Sequence, residues 1–376
     1  MMAKGSLGFG MMRLPVVNGN YEKIDHAETC KLVDRFLEKG FTYFDTSYVY
    51  HNGFSEEAAR KCLVERHPRD SFTLATKLPT FSITKKEQVP EIFEQQLKNC
   101  GVDYFDYYLL HTLNVTTYDS YVEPCGMFDF IKRQKEEGRI RHIGFSFHDS
   151  AEMLDRILTE HPETEFVQIV VNYFDWESRF IQARKCYETI RKHGKKVIIM
   201  EPVKGGMLAN FPPGLEKEMK AMQPNLSAAS WAIRFGASLD GVIAVLSGMS
   251  TMEQVEDNTS YMEDFVPLSR QEKDLLTKGA AGFRKSGPLH TDDFEKYEGI
   301  CANGMPAAAV LEAYNASMVQ PVPTFGADLC YYKCERYRKG LKDGESWIDG
   351  KVFDKDGNDI TEMLAKAEKF LLEHIL

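Results

Sequence analysis

Four side chains of this sequence could together move a proton onto a carbonyl oxygen: Asp45, Tyr50, Lys77 and His111. Tyr50 lies five residues past Asp45, a span that lets a short loop leave a strand end and return over it. A phenol titrating near pH ~10 is a poor acid at neutrality unless something stabilises its phenolate. An ammonium such as that of Lys77 would do so, and a carboxylate such as Asp45 would keep the ammonium charged and oriented. His111 adds a hydrogen-bond donor for a substrate oxygen. The set suits protonation of a carbonyl oxygen as hydride arrives at its carbon. A plainer reading of the same residues makes Lys77 and Asp45 a core ion pair and Tyr50 a surface aromatic ring.

These residues need elements to carry them, and the chain supplies a regular alternation. Short apolar runs read as strands at Leu7–Met12, Phe41–Ser47, Phe72–Leu78, Tyr104–His111, Ile140–Phe147, Phe166–Asn172, Lys196–Pro202 and Gly241–Gly248. Helical periods fill the gaps, as in His26–Lys39, Tyr121–Glu137 and Phe180–Lys192, each closed by a glycine stop signal. Strands this continuously apolar are buried on both faces. Eight of them, each followed by a helix, predict a (β/α)8 TIM barrel, an α/β fold. A doubly wound sheet shows the same alternation, but no Gly-x-Gly-x-x-Gly turn follows the first strand to receive a dinucleotide. Asp45, Lys77, His111, Ser146, Asn172 and Glu201 fall at the C-terminal ends of different strands, the face on which barrel active sites assemble.

Composition narrows the classes further. The 376 residues are 43% hydrophobic and 27% charged, so a large core is available. A net charge of −10 argues against nucleic acid as the main partner, since phosphate contacts need a concentrated basic surface. The one dense basic run, Arg191-Lys192-His193-Gly194-Lys195-Lys196, reads as a helix C-terminus whose cations satisfy the macrodipole. No apolar run approaches the ~20 residues that cross a bilayer, and the first residues lack a signal-peptide core. Cys30, Cys62, Cys100 and Cys186 sit in amphipathic stretches as small apolar side chains. The expectation is a chain of the reducing cytoplasm, with no membrane partner.

The segment Phe44-Asp45-Thr46-Ser47-Tyr48-Val49-Tyr50-His51-Asn52-Gly53-Phe54-Ser55-Glu56 resembles the aldo/keto reductase signature, in which an Asp and a Tyr are spaced in this way. Ala75-Thr76-Lys77 and Leu109-Leu110-His111 are similar to that family's lysine and histidine strands. The similarity continues through Ile140–Ser146, Gln168, Asn172-Tyr173 and Glu201–Leu208. The resemblance implies Tyr50 as general acid, Lys77 as its pKa partner, Asp45 as the orienting carboxylate and His111 as the carbonyl-binding donor. It implies a nicotinamide cofactor, NAD or NADP, extended across the barrel mouth. Ser146 and Gln168 match positions that hold the carboxamide, Phe147 stands where an Asn is usual, and Met200 where a stacking Tyr is frequent. Met11, Pro202, Val203 and Gly205 are expected along the same cofactor. The stretch Leu246–Asn258 aligns with the clamp on the 2′-phosphate of NADP, yet has Gly248, Met249 and Gln254 in place of cationic or hydroxyl partners. NAD is therefore slightly favoured, with Asp257 and Asn258 left for the adenine edge. Phe81, His148, Tyr173 and Trp176 are expected to line the substrate pocket.

After about residue 280 the alternation stops, which suggests a barrel over 1–280 and a small, mainly helical extension over 281–376. Helices are expected at Pro306–Met318 and Thr361–Leu376. Asp354–Asp359 looks like a calcium loop, but its glycine comes early and no Glu closes it, so a hairpin turn is expected. Some aldo/keto reductases carry a ferredoxin-like extension with a Cys-x-x-Cys-x-x-Cys-x-x-x-Cys-Pro motif. Here that spacing falls on Glu295, Glu298, Cys301, Met305 and Pro306, with Cys330 and Cys334 further on. One cysteine of four does not hold a [4Fe–4S] cluster, so no iron–sulfur cluster and no metal are expected. The leading function is interconversion of a carbonyl (aldehyde, ketone or sugar) and its alcohol. Alternatives are internal redox on a sugar-like substrate with retained NAD(P), a Schiff-base role for Lys77, and a non-enzymatic redox-sensing subunit. Substrate identity and oligomeric state stay open.

Overall fold

The computed structural model describes residues 4–289, 291–302, 304–320, 346 and 348–373. Eight parallel strands, β1 (Leu7–Gly10), β2 (Tyr43–Asp45), β3 (Thr73–Leu78), β4 (Phe105–Leu113), β5 (Ile140–Phe147), β6 (Phe166–Val170), β7 (Lys196–Met200) and β8 (Val242–Ser247), close in sequence order. Helices connect them, so the fold is the expected (β/α)8 barrel. Its apolar side chains divide into two layers. Tyr43, Ala75, Leu109, Phe166, Ile198 and Ala244 fill the barrel interior, and a larger cluster packs strands against helices. Phe166 reaches that interior because Gly144 faces it: a Cβ there would lie 2.3 Å from the Phe166 carbonyl oxygen and 2.8 Å from its ring.

Local departures from the expected elements have identifiable causes. β7 stops at Met200, since Glu201 takes a left-handed φ of 54° and Pro202 has no N–H to offer a ladder. β4 runs on to Leu113, with a register shift between Leu110 and Leu113 and a left-handed Thr112 (φ 61°). That irregularity bends the strand at the residue after His111. The expected helix Tyr121–Glu137 is broken: Pro124 lacks a donor, Gly126 sits at φ 62°, and the regular helix is Met127–Glu136. Helix Phe180–Lys192 begins instead at Ala183, because Gln182 is left-handed and Phe180 is drawn into a different cluster.

That second cluster belongs to the C-terminal extension. Helix Arg270–Lys285 runs past residue 280, so the change of texture falls inside a helix whose Phe283 still packs with the barrel cluster. Beyond it come a two-stranded antiparallel pair, β9 (Cys301–Ala302) and β10 (Met305–Pro306), and helices Ala307–Met318 and Thr361–Glu373. Their buried Val310, Leu311, Tyr314, Leu364 and Leu371 pack with Phe180. Asp354–Asp359 turns as a hairpin: Phe353 bridges Asp359, Gly357 has φ 83°, and Asp354 Oδ1 accepts the N–H groups of Asp356 and Asn358 at 3.0 and 2.8 Å. Arg179 ties the loop after β6 to the extension through Glu298 (2.8 Å) and Glu312 (3.3 Å). Cys330 and Cys334 lie outside the described residues. No helix among the described residues is long and apolar enough to cross a membrane.

Candidate active site

At the C-terminal ends of the strands opens a cavity of about 480 Å3, and Asp45, Tyr50, His111, Ser146, Gln168 and Glu201 are among its walls. Lys77 lies just below it, with no exposed surface. Its ammonium donates to Asp45 Oδ1 and, at 2.8 Å, to the carbonyl of Thr46. A second polar layer fixes the strand behind Lys77. Glu56 accepts from Thr76 Oγ1 (2.6 Å), Gln96 Nε2 (2.8 Å) and Asn99 Nδ2 (3.0 Å), while the same Gln96 amide donates to the Lys77 carbonyl at 2.9 Å. Every partner in this network is buried or half-buried, where a missing hydrogen bond is costly, so the register of β3 is tightly specified.

Tyr50 enters from the loop after β2. Its turn is held by His51, which is 1% exposed and left-handed. His51 Nε2 accepts the Leu14 N–H at 3.1 Å, so the ring proton sits on Nδ1 and is donated to the Tyr21 carbonyl at 2.6 Å. Tyr21 stacks on that imidazole with centroids 4.3 Å apart, and its side chain forms part of the cavity wall. The Tyr50 ring stands 5.9 Å from His111, edge to face, and 4.8 Å from Lys77 Nζ. His111 is itself oriented by Ser47, whose Oγ lies 3.2 Å from Nδ1.

The electrostatics differ from the sequence expectation in one respect. Lys77 sits under the Tyr50 ring rather than on its oxygen, and among the described residues no hydrogen bond reaches the phenol. Burial, then the Asp45 carboxylate, push the Tyr50 phenol well above its ordinary range. The Tyr50 phenol therefore carries its proton at neutral pH. Burial lowers Lys77 and raises Asp45, each opposed by the other's charge. His111 is held well below 6.5 by burial and then by Lys77 and His148, and is a neutral ring at physiological pH.

Burial also lowers His26 and His51. A lowered folded value means that, as pH falls below about 6.5, the unfolded chain takes up protons that the folded chain refuses. The stability present above that pH is then lost. The raised carboxyls Asp45 and Glu56 act in the opposite sense at lower pH. The expected result is a melting temperature that declines from about pH 7 to about pH 5. His51→Gln should show a shallower decline than the wild type when both are followed by circular dichroism.

The remaining expected residues divide. Ser146 Oγ accepts the Thr112 N–H at 2.8 Å, and Gln168 Nε2 lies 3.6 Å from Met200 Sδ, all at the cavity with Gly248. Phe81 and His148 form part of the wall. Met11 does not: the short turn Met11–Arg13 points it into the core, and its neighbours Met12 and Arg13 face the mouth instead. Tyr173 is 5% exposed in the core, and Trp176 packs on Phe235 and Tyr187, because the loop after β6 folds toward the extension. Pro202 and Val203 stand back from the cavity, and Gly205 gives its N–H to Glu201 Oε2 at 2.9 Å. Asn258 is buried with its amide bonded to Ser247 and Tyr261, and Asp257 is bonded to Ser227. Gln254 turns its carbonyl back to the Ser250 N–H at 2.7 Å. Asn172 is buried against Asp175 and the Glu201 carbonyl. Sequence reasoning missed Tyr21 and Arg13 as walls. Arg13, a cation three residues past the end of β1 at the mouth, is the signal that was there to read.

The aldo/keto reductase family model matches residues 6–279. The chain belongs to the aldo/keto reductase family. It is accordingly an NAD(P)-dependent oxidoreductase. L-galactose dehydrogenase of Arabidopsis thaliana is 24% identical to it over 293 residues, spanning 72% of this chain and 88% of that protein. The aldo/keto reductase structure from Brucella melitensis is 25% identical, with a TM-score of 0.58 over 74% of this reductase and 99% of that chain. An aldo/keto reductase from Klebsiella pneumoniae, in complex with NADP and acetate, shares the fold at 18% identity and TM-score 0.59, over 73% and 90% of the two chains.

Proposed function

We propose that this reductase interconverts an aldehyde, ketone or sugar carbonyl and its alcohol by hydride transfer, with Tyr50 as general acid in reduction and general base in oxidation. One observation carries the reading: Tyr50 and His111 meet in one cavity directly above the buried Lys77–Asp45 pair. His111, kept neutral, can hold a carbonyl oxygen while Tyr50 delivers its proton. The Lys77 ammonium, 4.8 Å from the centre of the Tyr50 ring, offsets the negative charge that develops when the proton leaves, and Asp45 holds that ammonium in place. Phe81 and Tyr21 offer aromatic walls that suit a sugar ring or a flat ketone. The likeness to a plant L-galactose dehydrogenase supports the sugar side.

The residues present fit a nicotinamide dinucleotide, whose chemistry when bound is to give or take hydride at its ring. Gln168 Oε1 is buried at the cavity with no hydrogen-bond partner among the described residues, and a carboxamide N–H would satisfy it. Ser146 and Met200 flank that position, and Gly10 and Gly248 let the backbone approach a ligand closely. Residues 248–258 contain no Lys or Arg, which supports NAD over NADP by roughly the 1.5–3 kcal/mol that each absent charge-assisted bond would contribute. Purified enzyme should oxidise NADH with some member of a panel of aldoses, aldehydes and ketones, followed at the nicotinamide absorbance. Enzyme that binds NADH yet turns over none of them, nor the matching alcohols with NAD, would count against the carbonyl reading.

Residues 281–376 form, in this reading, a ferredoxin-like remnant that has lost its cluster. Cys301 stands on β9 just before helix Ala307–Met318, while Glu295, Glu298 and Met305 occupy the other ligand places. Elemental analysis of the purified chain is expected to show no iron. About four iron atoms per chain would overturn the assignment. The buried Cys62, Cys100 and Cys186 fit the reducing cytoplasm as the working compartment.

A further inference from the structure

Arg13 and Glu201 follow β1 and β7, and the strand between them, β8, leads into Gly248. A Cβ on Gly248 would lie 3.4 Å from Arg13 Cβ, so Arg13 lies over this glycine, and its guanidinium comes within 3.5 Å of Glu201 Oε1. Its carbonyl accepts Ser250 Oγ at 2.5 Å, which fixes the base of the side chain. Glu201 is held as firmly. Its backbone is left-handed at φ 54°, a conformation disfavoured for a residue with a side chain. Its carbonyl accepts Asn172 Nδ2 and the Lys204 N–H, both at 3.1 Å. That strained backbone directs the carboxylate at two donors: Arg13 through Oε1, and the Gly205 N–H through Oε2 at 2.9 Å. Gly205 and Gly206, at φ 62° and 94°, continue a left-handed run from Lys204, the kind of backbone that presents N–H groups to an anion.

A guanidinium and a backbone N–H beside two wall glycines are groups that hold phosphate. Both are engaged here by the protein's own carboxylate. We propose that Glu201 is a resident anion that competes with the phosphates of the cofactor for Arg13 and Gly205. The proposal rests on the reading of this cavity as a dinucleotide site. Binding must either draw Arg13 away from Glu201 or set phosphate beside a carboxylate, and each lowers affinity. Arg13 is then a cofactor-binding residue, and Glu201 limits how tightly cofactor is retained between turnovers.

The test is affinity rather than turnover. NADH and ADP are titrated into wild type, Glu201→Gln, Arg13→Gln and the double variant, with thermal melts of each. Glu201→Gln keeps an acceptor for the Gly205 N–H but loses the charge, and should bind NADH and ADP about tenfold more tightly, with a slower release of NADH. Arg13→Gln should weaken both ligands about tenfold, and the gain from Glu201→Gln should shrink in its background. A folded Glu201→Gln protein that binds NADH no better than a binding-competent wild type overturns the proposal alone. Wild type that binds neither NADH nor NADPH overturns the dinucleotide reading and the proposal with it. If Glu201→Gln melts far below wild type, Arg13→Gln decides: undiminished affinity for NADH and ADP overturns the proposal.

Discussion

Tyr50→Phe is expected to lower the rate of hydride transfer by on the order of 10^3-fold or more, the range that a positioned general acid supplies. The substitution removes one oxygen from a ring that is otherwise packed between His111, Lys77 and the cavity. Among the described residues that oxygen makes no hydrogen bond, so the fold loses nothing by its removal. Cofactor affinity should therefore stay close to wild type while the chemical step fails, which separates a proton donor from a binding surface. Single-turnover mixing of NADH-loaded enzyme with a carbonyl substrate reads the step directly. A Tyr50→Phe enzyme with unaltered single-turnover rate would remove Tyr50 from the mechanism.

Lys77→Met should affect both folding and chemistry. Lys77 and Asp45 are 0% and 2% exposed, and removing the ammonium strands a carboxylate in the barrel. Breaking a buried pair from one side costs about 3–5 kcal/mol, less whatever the carboxyl recovers by taking up a proton. Asp45 is already raised by burial, so that protonation is within reach, and the loss should be greater at pH 8 than at pH 6. The double variant Asp45→Asn with Lys77→Met should regain much of the stability, because neither buried charge remains, and none of the activity. Urea unfolding of the three variants measures the first effect and NADH oxidation the second. A double variant as active as wild type would reduce the pair to a structural ion pair, the plainer reading that the sequence alone allows.

The barrel was legible because the strands are buried over most of their length, and runs such as Phe166–Val170 and Lys196–Met200 then carry a strong signal. Asp45, Tyr50, Lys77 and His111 were legible for a related reason: strand ends are fixed by the fold, and chemistry-bearing residues there converge. What escaped depends on backbone departures that composition does not encode. Met11 and Arg13 exchange places because one turn of 3-10 geometry decides which side chain faces the mouth. Glu201 points at Arg13 and Gly205 only because its φ is positive, a conformation rare for glutamate and imposed here by Asn172 and Lys204. Tyr173 and Trp176 lie near the mouth in sequence, yet the loop that bears them is drawn toward the extension by Arg179 and Phe180. A tertiary contact more than 100 residues away sets their direction, and no local pattern announces it.

If this cavity holds a nicotinamide dinucleotide above Tyr50, titration with NAD(H) and NADP(H) will show it. Mass spectrometry of any nucleotide released on denaturation completes the measurement. The expected result is one dinucleotide per chain, NADH bound more tightly than NADPH, and undiminished binding by Tyr50→Phe. A chain that carries no nucleotide and binds none of the four would contradict it.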